Sequence, residues 1–143
     1  MVLPSENSEQ RIREFEHHYR VELPTDFRDY FLHVDGMSTQ WPNAQDPDGY
    51  AFWSLDGVKS VPEEALKHKS GQDWSNFPSA ESLFVFADYL DWSWAYGIRL
   101  LTARSESGQV FIIGKQETAI QVAESFSDFV ELYLADSPIL YGT

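Results

Sequence analysis

From Leu83 to Leu101 the chain reads LFVFADYLDWSWAYGIRLL. Its first five residues are a continuous apolar run rich in aromatics, which suits a strand covered on both faces. Asp88 and Asp91 then interrupt the run, and from Trp92 the side chains alternate. Trp92, Trp94, Tyr96, Ile98 and Leu100 share one face, and Ser93, Ala95, Gly97 and Arg99 share the other. A period of two means a pleated strand. The alternation outlasts the mean strand of about five or six residues, so Trp92 is expected in the turn and the strand from Ser93 or Trp94. Each large side chain buried is worth about 1.5–3 kcal/mol, so the even-numbered face is expected to be core.

Elsewhere the spacing switches between helical and extended. Residues 8–20 place Ile12, Phe15 and Tyr19 on one stripe behind a capping Ser8. A second helix is expected after Pro24, with Asp26 at its positive end, Phe27, Tyr30, Phe31 and Val34 as its stripe, and Gly36 as its stop. Residues 37–49 read as a loop. Tyr50–Leu55 reads as a strand that Asp56-Gly57 turns onto a short partner at Val58–Val61. Ser60 and Glu63 have capping-box spacing for a brief helix through about Lys69, and a loop follows to Ala80. Arg104–Gly108 is expected to turn the chain into a strand at Gln109–Ile113, with another at Thr118–Val122. Ser125 caps the last helix, whose expected buried face is Phe126, Phe129, Val130, Tyr133 and Leu134. Short connections between consecutive strands favour antiparallel pairing. The expected fold is α+β: one domain over residues 1–143, with a mostly antiparallel sheet of about four to six strands packed by N-terminal and C-terminal helices.

The net charge of −13 narrows the partners. It is spread evenly, with 13 acidic and 7 basic residues in 1–71 and 10 and 3 in 72–143. Such a surface repels nucleic acid and anionic membrane and attracts basic proteins, although acidity also serves solubility alone. There is no cysteine, so disulfides and thiolate metal sites are unavailable. The first seven residues lack a basic, apolar leader pattern, and no apolar run approaches the roughly 20 residues of a membrane helix. The expectation is a soluble, cytoplasmic protein that binds neither nucleic acid nor membrane.

Reactive constellations are missing. His17 and His18 diverge on a helix, and His33 and His68 stand alone, so three or four convergent metal ligands are not in prospect. Asp46-Pro47-Asp48-Gly49 is a turn, since a calcium loop aligned on Gly49 would begin at Ala44 and end at Leu55. Gly108–Lys115 has five residues between its glycines where a phosphate loop has four, and Gln116 where Ser or Thr belongs. Asp88 and Asp91 could form a carboxylate pair, but their spacing is equally that of turn-forming aspartates. No catalytic residue, metal or cofactor is expected. The remaining signal is three tryptophans in predicted loops or at a strand end, Trp41, Trp74 and Trp92, beside acidic residues. Trp41, Asp46, Asp48, Trp74, Asp88, Asp91 and Trp92 are the candidate partner-binding residues, rings supplying contact area and carboxylates steering a basic partner. The alternative is that these rings fold back over the core.

Three segments carry a family resemblance: VELPTDFRDYFLHVDG at 21–36, LFVFADYLDWSWAYGIRL at 83–100 and AESFSDFVELYL at 123–134. In order and spacing the chain resembles the SUKH superfamily, which includes fungal Smi/Knr-type regulators of cell-wall assembly and many bacterial proteins. The resemblance covers nearly the whole chain and implies a single α+β domain with helices on one side of its sheet. It also implies an immunity protein that binds and neutralises a cognate toxin, often a nuclease, with no family catalytic residues to carry over. The other functions weighed are a regulatory scaffold, as in the cell-wall relatives, and a small-ligand binder with a pocket near Asp88.

Overall fold

The computed structural model describes residues 8–34, 49–63, 80–90, 93–114 and 119–141. Among the described residues, the helices α1 (Ser8–Tyr19), α2 (Thr25–His33) and α3 (Phe126–Leu134) accompany six strands. The strands are β1 (Tyr50–Phe52), β2 (Lys59–Ser60), β3 (Leu83–Tyr89), β4 (Trp94–Arg99), β5 (Val110–Ile113) and β6 (Ile120–Ala123). All pair antiparallel in the order β1-β3-β4-β5-β6, with β2 beside β3. The architecture is therefore the expected α+β one.

The helices lie on one face of the sheet. Phe15 and Tyr19 of α1 bring their rings to 5.8 Å and 4.8 Å from Phe84. Phe27 of α2 stands 5.7 Å from Phe86 and 4.9 Å from Phe126 of α3. One carboxylate aligns two helix starts: Asp26 accepts from Phe27 N at 2.8 Å and from Ser127 N at 2.9 Å, satisfying N–H groups that helices leave free. Ser125 caps α3 as expected, its hydroxyl accepting from Asp128 N at 3.0 Å.

The strands of the centre are buried on both faces. Phe84, Phe86, Tyr96, Ile98, Val110 and Ile112 pack toward the helices, while Leu83, Val85, Ala95, Phe111 and Ile113 form a second cluster behind, with Val61 and Ala80. The expected even-face core thus holds at Tyr96, Ile98 and Leu100, and the odd face of β4 is covered as well. Gly97 makes that covering possible. Its empty side lies under Ile113, whose Cδ1 would be 2.4 Å from a Cβ built there.

Three expectations are corrected. Asp88 is in β3 rather than in the turn: it pairs with Ala95, and the chain reverses only at Leu90, which takes a left-handed φ of 47°. A bulge between Val85 and Ala87 gives β3 an extra residue, so Asp88 turns away from the helix side and Tyr89 turns toward it. Residues 50–61 do not form a hairpin, because β1 and β2 run in the same direction along one edge of β3. A two-residue hairpin turn needs positive φ at Asp56 and Gly57, and neither has it. Instead Leu55–Gly57 is a 3-10 turn that buries Leu55 and leaves Asp56 to pair with Arg11 at 2.8 Å. Finally, Leu134 is 76% exposed. At 100° per residue it lies about 110° from the centre of the Phe126/Phe129 stripe, whereas Tyr133 lies on it. The expected strand start at Thr118, the stop at Gly36 and the helix beyond Glu63 lie outside the described residues.

Candidate functional site

Where β3 passes to β4, the sheet ends in a floor of aromatic rings. The register creates it: Tyr50 of β1 stands opposite Tyr89 of β3, which stands opposite Trp94 of β4. Cross-strand neighbours on one face touch, so three strands lay three rings in a row. Trp94 stacks on Tyr89 at 4.6 Å, and Tyr50 lies 5.0 Å from Tyr89 and 5.7 Å from Tyr96. Tyr141, from the 3-10 turn Pro138–Tyr141, closes the group edge-on to Tyr89 at 5.4 Å.

Hydrogen bonds join the rings into a network. Trp94 Nε1 donates to the Tyr96 hydroxyl at 3.0 Å, and Tyr96 donates to the carbonyl of Leu140. Tyr141 donates to Asp136 Oδ1 at 2.7 Å, and Tyr50 bonds to both Tyr96 and Tyr141. Burial, then these hydrogen bonds, push the Tyr50 phenol far above its ordinary range, and burial also raises Tyr96. At Tyr141 the bond with Tyr50 acts to lower the phenol, but the bond and charge of Asp136 together with burial outweigh it and push it up to about 12. All three hydroxyls therefore stay protonated at physiological pH. Their protons are used within the network, with Tyr50 and Tyr96 buried, and they supply no phenolate to act as base or nucleophile.

Exposed apolar side chains neighbour these rings along the chain. Leu90, beside Tyr89, is 49% exposed, and Ile139, two residues before Tyr141, is 46% exposed. Asp136, at a left-handed φ of 49°, adds a surface carboxylate. Gly49 accepts from Leu90 N at 2.9 Å through its carbonyl. At its φ of 102° only glycine is at ease, and an added Cβ would meet Leu90 Cδ2 at 2.5 Å.

Of the seven candidate binding residues, Asp88 is within the described residues, and Trp41, Asp46, Asp48, Trp74, Asp91 and Trp92 lie outside them. Asp88 is not a surface carboxylate. It is buried behind the sheet, accepting from Trp53 Nε1 at 2.8 Å, so it cannot steer a partner. The Gly49–Leu90 bond holds these two described residues together beside the aromatic floor. Segment 64–79, with Trp74, departs from beside β2, which pairs with Val85 and Phe84 near the other end of β3. Sequence reasoning missed the tyrosines, Leu90 and Ile139. Tyr50, Tyr89 and Tyr96 were visible as strand aromatics, but only the register puts them together.

A groove of about 560 Å³ lies at the C-terminal end of α1, lined by Glu16, His17, His18, Arg20, Val21, Glu22 and Thr102, and contains none of the candidate residues. Among the described residues no group of three histidine, aspartate or glutamate side chains is placed to hold a metal ion. Nor is any described helix long and apolar enough to cross a membrane.

No curated protein matches the chain. The model of the SMI1/KNR4 family (SUKH-1), by contrast, matches residues 6–132, a span that runs from before α1 into the last turn of α3 and takes in all six strands. With most of the chain covered and the expected architecture in place, the protein belongs to the SMI1/KNR4 family (SUKH-1).

Proposed function

We propose that this chain is a non-enzymatic binding protein of the cytoplasm: an immunity protein that neutralises a cognate toxin, a nuclease being the expected kind, by stoichiometric binding. One observation carries the reading. The hydrogen-bonded aromatic floor stands with the exposed Leu90, Ile139 and carboxylate of Asp136 at one end of the sheet. Rigid aromatic and apolar groups beside carboxylates supply contact area at low entropic cost and attraction for a basic partner. The overall charge of −13 favours the same partner and speeds the encounter. A basic enzyme acting on nucleic acid would be held with its cleft covered.

Co-expression with the toxin-like product of a neighbouring gene tests this. The expected results are rescue of growth, a one-to-one complex by size-exclusion chromatography, and weaker binding by the double variant Leu90→Lys/Ile139→Lys. Absence of both rescue and complex would defeat the reading. Recovery of an endogenous enzyme of the host instead would favour the regulatory scaffold.

A further inference from the structure

The sheet has a second recognition feature away from the aromatic floor. β6 is paired with β5 on one side, and among the described residues no strand pairs with its other side. Its outer N–H and C=O groups are a template for another strand. A depression of about 300 Å³ runs along it, lined by Gln121, Val122, Ala123 and Glu124. Gln121 is exposed, and its side-chain amide donates to the Ala123 carbonyl at 3.4 Å and to Glu124 Oε1 at 3.1 Å. The first of these bonds is long and easily displaced.

Charge decides what fits this edge. Residues 119–141 carry Glu124, Asp128, Glu131 and Asp136, all exposed, and no Lys, Arg or His. A second copy of this chain would set two such surfaces side by side, and like charges facing each other across paired strands oppose association. Shortness and a bulge at Val122, which has no partner between Phe111 and Val110, guard the edge further against self-pairing. An extended segment bearing Lys or Arg at alternate positions meets no such repulsion. It would complete the ladder with its backbone and face Glu124 and Asp128 with its cations.

We infer that the outer edge of β6 is a strand-addition site for an extended basic segment of the protein partner. This rests on the reading that the chain acts by holding a basic protein, and it names where and how part of that protein is held.

The probe is a capped nine-residue peptide of alternating Lys and Val, titrated into the isotope-labelled full chain. Its control is the same peptide N-methylated at alternate backbone nitrogens, which keeps the charge and removes the ladder. The expected result is slowed amide exchange and shifted resonances at 120–123, affinity at least tenfold weaker for the control, and severalfold weakening between 50 and 500 mM salt as screening shortens the reach of Glu124 and Asp128. Glu124→Lys should weaken binding at least fivefold, and Gln121→Ala, which frees the Ala123 carbonyl, should leave it equal or stronger. Equal binding by the N-methylated control, changes confined to other surfaces, no binding at millimolar peptide, or peptide-free dimers joined through β6 would each overturn the inference. A cognate partner that binds without protecting the β6 amides sinks this inference and leaves the immunity reading intact. A peptide that adds to β6 when no toxin partner binds does the reverse.

Discussion

Adding one methyl group at Gly97 tests whether the rear face of the sheet is packed as closely as the front. Gly97 stands opposite Val85 in β3 and Phe111 in β5, and Ile113 reaches diagonally across it. A Cβ there would meet Ile113 Cδ1 at 2.4 Å and the Phe84 carbonyl oxygen at 3.4 Å. Ile113 is fully buried in the cluster with Val85, Ala95 and Phe111, so its end cannot swing clear without disturbing them. Overpacking of this kind costs about 1–3 kcal/mol. Alanine returns about 0.4–1 kcal/mol by restricting the unfolded chain, so the net loss for Gly97→Ala should lie between about 0 and 2.6 kcal/mol. Ile113→Val removes the offending Cδ1 at a cost of about 0.5–1.5 kcal/mol. In the double variant the new methyl occupies the space that Cδ1 left, so the losses must fail to add, with a coupling of about 1 kcal/mol or more. Urea unfolding followed by tryptophan fluorescence and far-ultraviolet circular dichroism gives all four stabilities, provided the slope stays constant. A Gly97→Ala variant more stable than its parent, or additive losses in the double variant, would refute close packing behind the sheet.

Other expectations follow from the caps and the titrating groups. Ser125→Ala removes the oxygen that accepts from Asp128 N and should cost about 1 kcal/mol in the same urea assay, with Ser125→Asp largely restoring it. Burial acts to raise Glu63, but hydrogen bonds with Ser60 and Tyr19 and the charge of Lys59 outweigh it, so its carboxyl is held below the ordinary 4.5. A depressed carboxylate stabilises the fold above its unfolded value and loses that contribution as pH falls through the folded value. Glu63→Gln should therefore be less stable than the parent at pH 7, and the gap should close below about pH 4.5. The raised phenols of Tyr50, Tyr96 and Tyr141 have the opposite sign. Their contribution is whole below the unfolded value near 10 and declines above it, so unfolding and the phenolate absorbance of these residues should rise together in alkali. Ionisation of all seven tyrosines near pH 10 with the fold intact would contradict the network.

Much of the fold was legible because its signals are local. The alternation from Trp94 placed β4, the Ser125 cap placed α3, and the Ser60–Glu63 spacing appears as a hydrogen bond of 2.8 Å between their side chains. The misreadings arose where a local signal depends on a distant partner. Asp88 reads as a turn residue until the bulge beside Val85 carries it into β3 and Trp53, 35 positions earlier, supplies its hydrogen bond. Asp56-Gly57 reads as a hairpin turn until β3 takes both flanking segments along one edge. The candidate site was legible only in outline. Of the residues named from loop tryptophans and acids, six lie outside the described residues and Asp88 is buried, while the tyrosines lie in three strands and a terminal turn that only the register brings together.

The two-sided burial also restricts how a protein of this design meets a partner. Val85, Ala87, Ala95, Tyr96, Ile98, Val110 and Ile113 are fully buried, so the centre of the sheet has no free face to offer. Recognition through the sheet must then use what its centre does not: the ends, where turns and aromatic rings emerge, or the edges, where the backbone is unpaired. An end would give selectivity through side chains, which is the part proposed for Tyr89, Leu90 and Trp94. An edge gives attachment that depends little on partner sequence, because every extended chain carries the same ladder of donors and acceptors. If β6 takes a strand as inferred above, the four exposed acids and absence of any base in residues 119–141 would favour a cationic strand over a second copy of the chain. On the proposed reading, substitutions at the aromatic end would change which partner is bound while the edge and the core behind it stay the same.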